Sequence, residues 1–77
     1  MSEDRYVIEK LIWVEKRLAV LDEIDEKLQA MKQIAGYARD NELSKREKID
    51  LNIKINTLDS EVKILYQQDK NFWLDWQ

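Results

Sequence analysis

The stretch LQAMKQIAGYARDNELSKRE, Leu28 to Glu47, decides the fold, because it holds the chain's only glycine and its one long polar interruption. On its N-terminal side apolar residues recur every three or four positions, at Leu28, Met31, Ala35 and Ala38, as on one face of a helix. The run RDNEL, Arg39 to Leu43, ends that pattern, and SKRE then supplies Ser44 and Glu47 at the spacing of a capping box. In such a box the Glu47 amide donates to the serine hydroxyl while the Ser44 amide donates to the Glu47 carboxylate, so a new helix starts there. Gly36 costs a helix about 1 kcal/mol relative to alanine. It reads as an outward-facing position near a fraying end, with a helix stop as the alternative. A connection of a few residues leaves the two helices as antiparallel neighbours. The spacing therefore predicts one all-α domain over residues 1–77, with helix one over about 3–40, a bend at about 40–44 and helix two over about 45–75. Its architecture is an antiparallel two-helix hairpin with coiled-coil-like packing.

Outward from the bend, two seams are legible. On helix one, Val7, Leu11, Val14, Leu18, Leu21, Ile24 and Leu28 follow one another in steps of three or four. On helix two, Leu51, Ile55, Leu58, Val62, Leu65, Asp69, Phe72 and Trp76 alternate strictly by four and three, which is coiled-coil spacing interrupted once by a charge. These lines are the expected hairpin seam. With the bend near Asn41, Leu28 is expected to face the Ile55 region, Leu18 the Leu65 region and Val7 the Trp76 region. The chain carries more apolar surface than one seam uses. Tyr6, Trp13 and Val20 form a second line on helix one, and Ile49, Ile53 and Ile64 lie off the seam of helix two. Left wet, these would make an exposed patch that monomers seldom carry. A homodimer forming a four-helix bundle through Tyr6, Trp13, Val20, Ile49 and Ile53 is the expectation, with docking of another protein as the alternative. In the aromatic tail NFWLDWQ, Phe72 and Trp76 are expected to plug the open end of the hairpin against Val7 and Leu11. Trp73 and Leu74 are left as candidates for contact with a partner or second protomer.

Composition closes off other functions. A 77-residue chain is near the size where one core supplies only a few kcal/mol, and with neither cysteine nor histidine it lacks disulfides and the usual zinc ligands. Self-association is the remaining means of support. The same absences remove thiolate nucleophiles and imidazole bases, so no enzyme activity, cofactor or small-molecule substrate is expected. The acidic cluster Asp22, Glu23, Asp25 and Glu26 lacks the Glu-x-x-His that helix-bundle metal sites add, and reads as a solvated face. A net charge of -3 with both signs mixed along the chain gives no footprint for nucleic acid. The longest apolar runs, such as Leu11 to Val14, are far short of a bilayer span, so no membrane contact is expected. The acidic start MSEDRY has no leader pattern, which points to the cytoplasm, or to export by a flagellar-type apparatus that leaves no cleaved signal.

The bend also resembles the N-terminal helical hairpin of bacterial flagellins. Leu28, Gln29, Met31, Ile34, Ala35 and Ala38 stand in its L-Q-x-M-x-x-L-A-x-x-A pattern, Ser44 at the hydroxyl cap, and Glu47 and Lys48 at the acidic-basic pair. Leu51, Ile55, Leu58, Glu61, Val62 and Leu65 follow without a gap, and Asn71 and Phe72 resemble a reversed, shifted form of the Phe-Asn after that hairpin. The likeness covers Leu28 to Leu65; upstream of Leu28 the chain departs from the flagellin pattern. The resemblance implies a structural protein that mimics or joins the flagellin core, or a partner of flagellin, rather than a flagellin that polymerises in the ordinary way.

Overall fold

The computed structural model describes the backbone of residues 2–76 and the side chains of residues 4–71. Two helices make up the fold: α1, Ser2–Asp40, and α2, Lys45–Trp76, which pack against each other as a hairpin 64 Å long. Among the described residues there is no proline inside either helix and no residue with positive φ, so nothing interrupts the two runs of intrahelical hydrogen bonds.

The bend is built from side chains that finish one helix and start the next. The Asn41 side-chain amide donates to the Tyr37 carbonyl at 2.9 Å, satisfying an acceptor that the end of α1 leaves open. The capping box is present in both directions: the Glu47 amide donates to Ser44 Oγ at 3.1 Å and the Ser44 amide donates to Glu47 Oε1 at 3.2 Å. The Lys48 amide then closes the first turn on the Ser44 carbonyl at 3.0 Å. Arg39 in the last turn of α1 and Glu47 in the first turn of α2 each carry the charge that suits the helix dipole.

Gly36 is not the helix stop. It lies half-buried inside α1, and a Cβ built there would meet only the flexible guanidinium end of Arg39, at 4.0 Å. Gly36→Ala is therefore expected to stabilise the hairpin by about 1 kcal/mol. The check is a higher urea midpoint at an unchanged denaturant slope.

The core is a single short layer. Ile24, Val62 and Leu65 are the buried hydrophobics, 4%, 4% and 8% exposed, with Val20 and Met31 packed against them. On α2 the inward line is the expected one: Val62 and Leu65 are buried, and Leu51, Ile55, Leu58 and Asp69 are half-buried. On α1 it is not. The inward line runs through Trp13, Arg17, Val20, Ile24, Lys27, Met31, Ile34 and Ala38, all half-buried or buried, in strict alternation of four and three. The line expected as the seam, Val7, Leu11, Val14, Leu18, Leu21 and Leu28, faces outward and is 36% to 57% exposed.

Asp69 supplies the physical reason. A leucine line laid against α2 would leave that carboxylate beside apolar side chains without a countercharge, which is costly. The line actually used brings Arg17, whose Nε donates to Asp69 Oδ1 at 2.8 Å, and Lys27, whose Nζ donates to Glu61 Oε2 at 2.6 Å. These two pairs bracket Ile24 and set the register, which is about one helical turn away from the expected pairing of Leu18 with Leu65. In this register the end of α2 is level with about Lys10, so the first two or so turns of α1 extend past it.

Candidate interaction surface

Each residue of the outward line follows an inward one: Val14 after Trp13, Leu18 after Arg17, Leu21 after Val20, Leu28 after Lys27. One residue is about 100° of helix rotation, so α1 carries two apolar stripes roughly at right angles. One is spent on α2. The other, Val7, Leu11, Val14, Leu18 and Leu21, keeps an unbroken d-a-d-a-d heptad order and then meets Asp25 at the next a position. A preformed helix with a heptad stripe in water has the geometry of one half of a coiled coil.

The residues expected at the interface are dispersed. Tyr6 is 60% exposed on the part of α1 beyond the end of α2, under the Lys10 ammonium at 5.4 Å from the ring centre. Trp13 and Val20 do not form an outer face with it. Both turn toward α2, Trp13 with the Arg17 guanidinium 5.8 Å over its ring and Val20 against the core. Ile49, Ile53 and Ile64 are exposed, and Ile53 and Ile64 border open grooves shared with Ile34 and with Glu23 and Lys27 of α1. Trp73, Leu74, Phe72 and Trp76 have side chains outside the described residues. The outer leucine stripe was legible as a heptad but was assigned to the wrong contact. The seam members absent from the expected line are Trp13, Arg17, Val20, Lys27 and Ile34, and the signal for Arg17 and Lys27 is the presence of Asp69 and Glu61 on the facing helix.

The electrostatics of the surface follow from those pairs. Arg17 and Asp69 are both largely covered, so their bond is shielded from solvent more than the surface pairs Arg5 with Glu9 and Lys63 with Asp59. Lys27 is held above the ordinary lysine value of 10.5, first by its hydrogen bond to Glu61; the charges of Glu61, Glu23 and Glu26 raise it further, against desolvation that lowers it. A lysine whose folded pKa lies above its unfolded one adds stability that is complete below the unfolded value and is lost as pH rises through the folded value. The gap in melting temperature between the wild type and Glu61→Gln is therefore expected to hold through neutral and mildly alkaline pH and to close above 10.5. Melts across that range check it.

The described surface is open along the helix junction. Its depressions are open grooves along the helix junction, one lined by Tyr37, Glu47, Asp50, Leu51 and Lys54, where the Tyr37 hydroxyl donates to Glu47 Oε2 at 3.5 Å. Among the described residues no group of His, Cys, Asp or Glu side chains gathers to hold a metal ion, and no helix is long and apolar enough to cross a membrane. No family model, no curated protein and no solved structure matches this chain.

Proposed function

We propose that the chain is a small, non-catalytic α-helical hairpin that acts as a protein–protein interaction module and associates with itself through the outer stripe of α1. One observation carries the reading: Val7, Leu11, Val14, Leu18 and Leu21 form a heptad line on a helix already held in shape by its packing against α2, and all five face water. Helix formation is the costly part of building a coiled coil from free chains. Here the hairpin bears that cost in advance, so apolar burial can go into association. Such an exposed line is the mark of a binding face rather than of an ordinary monomer surface. The mixed-charge surface and the absence of a membrane-spanning helix among the described residues fit a cytoplasmic location.

The test is the concentration dependence of thermal unfolding. When folding and association are linked, the melting temperature rises with protein concentration. A rise across a hundredfold range in the micromolar region supports self-association. A melting temperature independent of concentration, together with a mass of 9.3 kDa at the highest concentration, overturns it. Purified flagellin captured by that monomer would instead favour the flagellin-partner reading.

A further inference from the structure

The flanks of the outer stripe carry opposite charges, and this gives the association a direction. On the side away from α2, Glu15 and Asp22 occupy the e positions of the heptad. On the side toward α2, Lys10 and Arg17 occupy the g positions, and the neighbouring flank of α2 adds Lys70 together with Lys63, both exposed, the second of them paired with Asp59 at 2.9 Å. Arg17 is already engaged with Asp69, and Lys10 lies over the Tyr6 ring, level with the end of α2. The stripe thus runs between an acidic edge and a basic edge.

We propose that the occupant of this stripe is a second copy of the chain, docked parallel and in register, α1 against α1. The inference rests on the self-association reading and adds its geometry. In a parallel pair the e flank of each helix lies against the g flank of the other. Glu15 and Asp22 of one copy then meet the basic edge of the other, Lys10 from the preceding heptad and Lys70 from α2, with Lys63 shared between Asp59 and the incoming Asp22. In an antiparallel pair like flanks meet: Glu15 and Asp22 face the acidic edge of the second copy, and the lysine-bearing flanks of the two α2 helices stack. The number of chains is also set. In a three- or four-stranded coil each helix needs neighbours on both flanks of its seam, and α2 already covers one flank of α1 through Arg17, Ile24 and Met31. Two α1 helices therefore form the centre, with one α2 on each outer side.

The chain has no cysteine, so a single introduced thiol reports position without interference. Leu11→Cys labelled with 15N is mixed with unlabelled Leu21→Cys and mildly oxidised at micromolar concentration. The parallel arrangement yields disulfides between like variants, labelled with labelled and unlabelled with unlabelled. The antiparallel arrangement joins Leu11→Cys to Leu21→Cys, because those positions lie about 15 Å apart along one helix and cannot both meet themselves. Mixed disulfides would overturn the parallel geometry and leave self-association standing. No disulfide in either variant, when the wild type has a dimeric mass, would overturn the stripe as the contact, and a monomeric wild type would remove the reading beneath it. As a second arm, Glu15→Lys with Asp22→Lys is expected to weaken the dimer about tenfold or more, and mixing with Lys63→Glu, Lys70→Glu is expected to recover it. Unchanged affinity in both would overturn the pairing of the flanks.

Discussion

Replacing Ile24 with alanine is expected to leave most of the chain unfolded at 25 °C. Ile24 is 4% exposed and, with Val62 and Leu65, forms the whole fully buried layer among the described residues. Truncating a buried isoleucine to alanine costs about 2–5 kcal/mol, from lost transfer energy and the cavity left behind. A domain of this size has only a few kcal/mol in total, so the loss is comparable with everything that holds it together. The short layer makes the effect sharper, since among the described residues no second core stands behind the first. Far-UV circular dichroism and urea titration at fixed protein concentration measure it, with Ile24→Val as the milder companion, costing about 0.5–1.5 kcal/mol. The contrast with Leu18 matters more than either value alone. Leu18 was the natural seam residue by spacing, yet it is 54% exposed. Leu18→Ala should change the stability of the isolated hairpin by about 0.5 kcal/mol or less, as surface substitutions usually do. Comparable losses at both positions, measured at a concentration where the chain is monomeric, would restore the leucine line as the seam.

Much of the hairpin was legible because its signals are local. The capping box at Ser44 and Glu47 depends on residues three apart, and both of its hydrogen bonds are present. The α2 seam was legible for a related reason: the isoleucines that compete with it, Ile49, Ile53 and Ile64, keep no heptad order. Helix one offered two lines that each satisfy the four-three alternation, and hydrophobicity alone favoured the wrong one. The line Val7 to Leu21 is wholly apolar, whereas the line through Trp13, Val20 and Ile24 contains Arg17 and Lys27. A rule that ranks seams by apolar content rejects the second. What selects it is pairing across the hairpin, where Arg17 meets Asp69 and Lys27 meets Glu61. Those partners are separated by 52 and 34 positions, so the signal appears only when both helices are considered together. The half-covered ion pairs also fix the register, since sliding α2 by a turn would part both at once. A purely apolar seam tolerates slippage more readily than one carrying a few matched polar positions.

The same choice of seam leaves the leucine line outside, and this links the fold to the proposed role. Introducing charge at its centre, as Leu11→Lys with Leu18→Lys, is expected to abolish self-association while sparing the hairpin. Each leucine buried in a dimer contributes about 1.5–3 kcal/mol, and both copies lose two. Half of that sum is about 3–6 kcal/mol, or roughly a hundredfold or more in dissociation constant. Within the monomer both side chains point to water, and lysine is nearly as good a helix former as leucine, so helicity should be retained. This separates an interface from a core more cleanly than any substitution in the inner seam, where loss of folding would remove both. The deciding measurement is the solution mass of the wild type and of this double variant, by light scattering at micromolar concentration, with circular dichroism on the same samples. A wild-type mass near twice 9.3 kDa and a helical variant at 9.3 kDa are the predicted result. A helical variant that keeps the dimeric mass, or a wild type that is monomeric throughout, would contradict the assignment of the outer stripe of α1 as the surface through which this chain binds itself.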